Sequence, residues 1–180
     1  HTGHAGQQQL GSRVRGGVCE GMPNEREKVL CIGLPGSGKS TFARALEAQA
    51  GYKRVSQDDQ GKAGAKREAK KCRKLGRKVV VDRCNVTIAE RGEWVQLLFG
   101  ADVNYARAGG PPGPARRCTV VFFNIPAEQC IARIKARQNH PTLADNGRVS
   151  IEGIVKSFAA RLVAPSRDEG FARVVVVTTA

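Results

Sequence analysis

Aromatic residues are scarce in this chain of 180 residues: they make up 5% of it, with one tryptophan and two tyrosines. The hydrophobic core must therefore be built mainly from Val, Ile, Leu and Ala. Long apolar runs are also lacking, and none approaches the ~20 residues that a transmembrane helix requires. Residues 1–17 are polar and Gly-rich and lack the apolar centre of a signal peptide. We therefore expect no membrane partner and an intracellular location, in the nucleus or the cytoplasm.

Acidic residues are few as well, with 16 Asp and Glu against 30 Lys and Arg, which gives a net charge of +14. Such a surface favours polyanionic partners. A composition that is basic throughout, without a function attached to it, would give the same total.

The chain has three histidines, and its six cysteines form no C-x-x-C pair. This pattern predicts neither a zinc site nor a disulfide framework, and it fits a reducing compartment. The length fits one domain. We expect a flexible tail or linker at 1–27 and one domain at 28–180, with a loop insertion at 100–117 because Gly and Pro crowd that segment.

Short apolar segments alternate with helix-compatible segments about five times from residue 28 onward. Strands are predicted at Val29–Ile32, Tyr52–Ser56, Lys78–Asp82, Cys118–Asn124 and Arg173–Thr178, and helices from Ser40, Lys62, Thr87, Ala127 and Ile151. Gly51 should end the first helix, and Thr87, with Glu90 three residues later, should cap the third. Ala45 is expected on the apolar face of the first helix and Leu75 beside that of the second. Such alternation is typical of an α/β fold with a parallel sheet and helices on both faces. Ligands of such sheets bind at the carboxyl ends of the strands.

The segment 33–41 satisfies the pattern G-x-x-x-x-G-K-[ST] between a predicted strand and a predicted helix, which is the context that a phosphate-binding loop (P-loop) requires. Its backbone N–H groups would cradle phosphates, its lysine would reach the β- and γ-phosphates, and the following hydroxyl would ligate Mg²⁺. We therefore predict that ATP and Mg²⁺ are bound here. The predicted nucleotide-binding residues are Gly33, Pro35, Gly36, Ser37, Gly38, Lys39, Ser40 and Thr41.

Carboxylates follow two of the predicted strands. Asp58 and Asp59 come just after the second strand, and a kinase that phosphorylates an alcohol needs one carboxylate to take the proton of the acceptor. Adjacent side chains point in different directions, so we expect only one of the two to act, and we favour Asp58. Asp82 ends the third strand, as an acid does that binds magnesium or an acceptor group. Arg83 and Asn85 would share its rim.

The segment 62–78 carries nine basic residues and one acid, Glu68. Because this basic stretch directly follows the predicted base, it indicates that the acceptor is itself a polyanion. A solvated helix face is the alternative explanation.

Arginines also lie on and after a late helix, where small P-loop kinases place a lid over the nucleotide. We predict a lid at 133–150, with Arg133 and Arg137 stabilising the charge on the transferred phosphoryl group. Their i, i+4 spacing puts both on one helix face.

Taken together, these segments resemble the polynucleotide 5′-hydroxyl kinase branch of the P-loop phosphotransferases, in particular kinase-like domains joined to aprataxin-like or RNA-ligase modules. The segments that carry the resemblance are 33–42, Val55–Asp59, Val80–Asn85 and Glu169–Phe171. The resemblance implies a P-loop kinase fold with a parallel sheet of four to five strands and a helical lid. It also implies that the chain is joined to further end-processing domains.

The resemblance further implies that Asp58 is the general base, that Asp82 is the second acid of the acceptor site, and that an arginine near Arg133 or Arg137 is the lid residue. From the residues themselves, Lys39 is expected to assist catalysis, and Ser40 and Asp82 are the predicted metal ligands. Asp82, Arg83, Asn85 and Lys62 would contact the acceptor. This sequence departs from the commoner family pattern, in which an arginine shortly after the base holds the acceptor phosphate. Here Gly61 and Lys62 stand in that region, and Arg83 is a substitute.

The sequence therefore predicts an enzyme that phosphorylates 5′-OH ends of RNA or DNA. Two alternatives stay open. One is a P-loop kinase of a small metabolite, such as gluconate, shikimate or a nucleoside, although such an acceptor would not need nine nearby cations. The other is a nucleotide- or nucleic-acid-binding module without turnover.

Overall fold

The computed structural model describes residues 27–100, 118–136 and 150–178. These ranges contain five strands and five helices; one helix follows each of the first three strands, and two helices follow the fourth. The elements are β1 Lys28–Gly33, α1 Lys39–Ala50, β2 Lys53–Ser56, α2 Gln57–Lys74, β3 Val79–Asp82, α3 Ile88–Phe99, β4 Cys118–Phe123, α4 Ala127–Ala136, α5 Ile151–Arg161 and β5 Arg173–Val177, with a 3₁₀ turn at Arg167–Glu169 before β5.

The strands form one parallel sheet in the order β2-β3-β1-β4-β5. The central strand β1 has β2 and β3 on one side and β4 and β5 on the other. The carboxyl end of β1 therefore lies in the middle of the edge at which parallel sheets bind ligands.

Helices cover both faces of the sheet, because successive side chains of a strand point to opposite faces. Leu30 and Ile32 of β1 belong to a buried cluster that includes residues of α2 and α3. Val29 and Cys31 belong to a second cluster, with residues of α1, α4 and α5. The predicted α/β class, the parallel sheet and the helices on both faces are confirmed.

Two of the helix signals that were read from the sequence are confirmed in detail. Thr87 caps α3 in a capping box, in which its hydroxyl accepts from the backbone of Glu90 and the Glu90 carboxylate accepts from the backbone of Thr87. Gly51 ends α1 in the left-handed conformation, as expected of a glycine after a helix.

The helix predicted from Lys62 is confirmed, because α2 resumes there after Gly61, which has a non-helical φ of 66° and ψ of 165°. A short helical turn from Gln57, which was not predicted, precedes this break, so Asp58 and Asp59 lie in the first turn of α2. Two other local predictions were wrong. Leu75, predicted beside the apolar face of this helix, is 55% exposed because it lies at the helix end, beyond the core. In α1, Ala45 is exposed although it was placed on the apolar face; Ala43 is buried instead.

The predicted loop insertion at 100–117 and most of the predicted lid lie outside the described residues, as do 1–26 of the predicted tail. Within the ranges that are described, none of the helices combines the length and apolar character needed to cross a membrane.

Candidate active site

The P-loop is the turn between β1 and α1, and its shape depends on glycines. Gly33, Gly36 and Gly38 have φ values of 145°, 81° and 104°, which L side chains rarely adopt. At Gly36 a Cβ atom would lie 2.6 Å from the backbone oxygen of Cys130 in α4. The close approach of α4 to the loop therefore requires glycine at this position.

Lys39 is the first residue of α1, and its side chain folds back into the loop. It is 6% exposed, and its Nζ donates to the backbone oxygen of Leu34 at 2.5 Å and to Ser37 Oγ at 3.2 Å. The ammonium group therefore lies among the backbone atoms that would surround a phosphate.

Ser40 and Asp82 meet across the site. The Ser40 hydroxyl donates to Asp82 Oδ1 at 3.1 Å, and Asp82 is 5% exposed at the carboxyl end of β3. A hydroxyl and a carboxylate are oxygen ligands of the kind that Mg²⁺ prefers, and Mg²⁺ in kinases is held by one or two carboxylates together with substrate phosphates. Ser40 and Asp82, the two predicted metal ligands, thus provide oxygen donors that suit Mg²⁺.

Arg54 of β2 is a member of the site that the sequence reasoning missed. It is 9% exposed and contacts Asp82 Oδ2 through Nε at 2.8 Å and through Nη2 at 2.6 Å. Its Nη1 donates to Asp59. Burial alone would lower the pKa of Arg54, but the carboxylates of Asp82 and Asp59 outweigh this effect and raise that pKa.

The two adjacent acids after β2 have different surroundings. Asp59 forms an ion pair with Arg54, whereas Asp58 is exposed and makes no hydrogen bond or ion pair with any residue that the structure describes. The charge of Asp58 acts on the nearby Cys84 thiol. Burial raises the pKa of this thiol, Lys39 opposes the rise, and the charge of Asp58 adds to it. Asp58 and the P-loop lysine therefore both act on the same thiol, at the carboxyl end of the sheet.

The other predicted acceptor contacts differ in what they touch. Arg83 is half-buried, 3.6 Å from Glu90, and Lys62 is exposed beyond the Gly61 break. Asn85 is 1% exposed and donates from Nδ2 to the backbone oxygen of Cys31 at 2.9 Å. This contact ties Asn85 to β1, and its predicted role at the acceptor gains no support from it.

Asn85 has a positive φ of 47°, and its Oδ1 has no hydrogen-bond partner among the described residues. The neighbouring backbone oxygen of Cys84 accepts from the Gly33 amide at 3.0 Å. The segment after β3 therefore anchors the beginning of the P-loop.

For the predicted lid, the described residues reach Ala136, the last residue of α4. Arg133 lies in the last turn of that helix and is half-buried, whereas Arg137 lies outside the described residues. Both lid assignments stay predictions.

Comparison with known proteins agrees with this geometry. Residues 29–160 match the model of a family described as an AAA domain, and the chain belongs to that family. It is 31% identical over 154 residues to Transcription factor bHLH140 of Arabidopsis thaliana, which covers 81% of this chain and 15% of that protein. It is 37% identical over 73 residues to the Bifunctional polynucleotide phosphatase/kinase of Schizosaccharomyces pombe, covering 40% of this chain and 18% of that protein.

Solved structures of kinases share the fold. A fungal RNA kinase aligns with a TM-score of 0.60 at 14% identity, covering 87% of this chain and 78% of that one. A sugar kinase from Janibacter sp. aligns with a TM-score of 0.56 at 18% identity, covering 85% of each chain. The chain thus has the fold of a P-loop kinase, and its resemblance to polynucleotide kinase-like P-loop phosphotransferases is confirmed. It spans less than a fifth of the length of either curated relative.

Proposed function

We propose that the protein is an ATP-dependent polynucleotide 5′-hydroxyl kinase that transfers the γ-phosphate to a 5′-OH end of RNA or DNA, in the repair of nucleic-acid ends. The observation that carries the proposal is the division of roles between Asp58 and Asp59. Arg54 holds Asp59, whereas Asp58 is exposed, has no partner among the described residues and acts electrostatically on the same Cys84 thiol as Lys39. A general base needs this availability, because it must accept the proton of a substrate hydroxyl.

In the proposed reaction the 5′ oxygen attacks the γ-phosphorus, the bond from that phosphorus to the β–γ bridging oxygen breaks, and ADP leaves. Asp58 takes the proton of the attacking hydroxyl. The P-loop amides and Lys39 hold the phosphates in line with the acceptor, and such positioning supplies most of the catalysis in phosphoryl transfer. A Mg²⁺ ion held near Ser40 and Asp82 would supply charge neutralisation on the phosphate oxygens.

The polynucleotide acceptor is supported by the basic character of the residues after Asp58 and by the similarity to the polynucleotide phosphatase/kinase of Schizosaccharomyces pombe. The similarities to the fungal RNA kinase and to a sugar kinase concern the fold alone. The latter keeps a small-metabolite kinase as an alternative outcome of the experiment.

The test is transfer of labelled γ-phosphate from ATP to 5′-OH oligonucleotides of RNA and DNA, with gluconate, shikimate and nucleosides as competing acceptors. We expect label on oligonucleotides alone. Label on a small acceptor alone would contradict the proposal in favour of a metabolite kinase, and nucleotide binding without any transfer would favour a module without turnover.

A matched pair of variants tests the assignment of the base. Asp58→Asn should lower the transfer rate by about 10²–10⁴-fold, the usual contribution of a general base, while ATP binding is retained. Asp59→Asn removes one charge from the adjacent position and should retain most of the transfer. Equal losses in the two variants would show that Asp58 is not a base.

A further inference from the structure

The groove between α2 and α3 is positively charged and has a volume of about 490 Å³. The reaction proposed above does not use it. Its cations sit at i, i+4 and i+7 on α2, so they lie along one side of that helix. Residues of α3 form the opposite wall. The lining consists of Lys66, Lys70, Arg73, Glu93, Gln96 and Leu97.

Among the residues that the structure describes, two of the three groove cations have no acid to neutralise them. Lys66 pairs with Glu93, but Lys70 and Arg73 form no ion pair with any described residue. The Arg73 guanidinium reaches the end of α3, where its Nη1 lies 3.4 Å from the position of a Cβ on Gly100. Half-buried Leu97 adds an apolar surface to the groove wall.

The groove is connected electrostatically to the active-site edge of the sheet. The hydrogen bond from Lys66 is the main cause of the lowered pKa of Glu93, and the charges of Lys62 and Arg83 lower it further. Arg83 directly follows Asp82 at the end of β3, and Lys62 directly follows the Gly61 break. Lys62 also lies one helical turn before Lys66 on α2, so positive charge continues from the edge that carries Asp58 and Asp82 into the groove.

From this placement we propose that the α2–α3 groove binds the phosphodiester backbone of the acceptor strand, downstream of the nucleotide whose 5′ hydroxyl reaches Asp58. The proposal rests on the proposed function. It extends the part of the acceptor that the protein binds from the 5′-OH end to the nucleotides that follow this end. A single strand fits because its charges repeat along one line, as do those of α2. The stretch from Lys62 to Arg73 is about 16 Å long at ~1.5 Å per helical residue. This length spans about five nucleotides at most, since ~3.4 Å is the axial spacing of phosphates along one strand of stacked duplex DNA and a single strand extends further per nucleotide.

The test compares two triple variants of the same helix with the same charge and spacing. Lys66→Ala/Lys70→Ala/Arg73→Ala removes two lysines and one arginine from the groove. Arg67→Ala/Lys71→Ala/Lys74→Ala removes one arginine and two lysines at the same i, i+4, i+7 spacing, one residue further on. All three of these control side chains are exposed.

Each protein is assayed for transfer to a 5′-OH dinucleotide and a 5′-OH 12-mer, and for binding of the labelled 12-mer by fluorescence anisotropy over a range of salt concentrations. In the wild type and the control we expect the 12-mer to have a KM at least about tenfold lower than that of the dinucleotide. The groove variant should lose this gain, phosphorylate the dinucleotide at the wild-type rate and bind ATP normally. Its salt slope for 12-mer binding should fall by about 0.7 for each phosphate contact that is removed.

A groove variant that keeps the full gain with length, or a control variant that loses as much, would overturn the proposal. Failure of the proposed function has a different signature, since no protein would then phosphorylate either oligonucleotide. In that case the anisotropy measurement still decides on the groove. The same loss of 12-mer affinity in both triple variants, or in neither, would reject it.

Discussion

Arg54 and Asp82 form an almost fully buried ion pair between neighbouring strands, with Nε and Nη2 of the arginine 2.8 Å and 2.6 Å from Oδ2 of the aspartate. The parallel register explains how they meet. Arg54 lies opposite Val80, and Asp82 follows two residues later on the same face of β3. The Ser40 hydroxyl bonds the other carboxylate oxygen, so Arg54 fixes the acid that also faces the P-loop helix.

Removing Arg54 should therefore be costly to the fold. We expect Arg54→Ala to lower the free energy of unfolding by about 3–5 kcal/mol, because it leaves the buried Asp82 carboxylate without its counter-charge. Urea denaturation measures the loss. Asp59→Ala, which removes the partly exposed acid on the same arginine, should cost less than about 1 kcal/mol.

The double variant Arg54→Ala/Asp82→Ala sharpens this prediction. Once the stranded charge is also removed, the loss should be no larger than in Arg54→Ala alone, since a buried pair as a whole contributes little net stability. A loss in the double variant equal to the sum of the losses in Arg54→Ala and Asp82→Ala would show that the two residues are not coupled in this way.

A second buried ion pair joins α3 to the 3₁₀ turn before β5. Arg91 is fully buried and donates from Nε and Nη2 to the two carboxylate oxygens of Glu169, both at 2.7 Å. Its Nη1 also donates to the backbone oxygens of Asn85, Val86 and Val163, each at 3.2 Å. One side chain thus connects the segment after β3 with the segment after α5.

Arg91→Met should consequently lower the free energy of unfolding by about 3–5 kcal/mol, because Glu169 and several buried carbonyls lose their donor together. Glu169→Gln keeps an acceptor for Arg91 and should cost less. The exposed pair of Lys53 and Glu47 serves as a control, and breaking it with Glu47→Gln should cost less than about 1 kcal/mol. Comparable losses at the buried and the exposed pair would contradict the prediction.

The sequence and the structure agree best where the signal is local. The P-loop pattern, the Thr87 capping box and the Gly51 helix stop each depend on residues within one turn, and each could be predicted. Arg54 could not be identified in this way, because its partner Asp82 lies 28 residues away on another strand. Hydrophobic periodicity reveals neither which strands are neighbours nor the register in which they pair. The helical turn before Gly61 was not predicted, because glycine disfavours the helix interior and the sequence favours a helix only from Lys62.

The close contact between the P-loop and α4 gives a prediction about glycine. In Gly36→Ala the Cβ would lie 2.6 Å from the Cys130 oxygen and 2.8 Å from Ile134 Cγ1, at a φ of 81°. The strained φ alone costs about 1–3 kcal/mol, and the loop or α4 must also shift. We expect nucleotide affinity to fall at least tenfold, measured by titration calorimetry with ATP.

Gly51→Ala is the matched control, since Gly51 also has a positive φ, of 68°, but nothing lies within 4 Å of its Cβ position. This variant should lose about 1–2 kcal/mol of stability from backbone strain and keep its nucleotide affinity. Wild-type ATP affinity in Gly36→Ala would contradict the assignment of this turn as the phosphate cradle.

The charges around the α2–α3 groove can be followed through the titration of Glu93. The hydrogen bond and charge of Lys66 lower the pKa of this glutamate below its usual value of 4.5, and Lys62 and Arg83 contribute more weakly. A depressed carboxyl pKa stabilises the fold at pH values above the unfolded pKa, and that stabilisation is lost as the pH falls through the folded pKa. Because Glu93 is partly exposed, the effect on stability is small, and the pKa itself is the better observable.

We expect Lys66→Ala to raise the pKa of Glu93 towards 4.5 and Arg83→Gln to raise it less, in a carbon-detected NMR titration of the side-chain carboxyl. Arg67→Ala, on the neighbouring side of α2, should leave it unchanged. If Arg83→Gln had no effect, the active-site rim and the groove would not share one electrostatic surface, and the proposed path of the strand would lose its connection to Asp82.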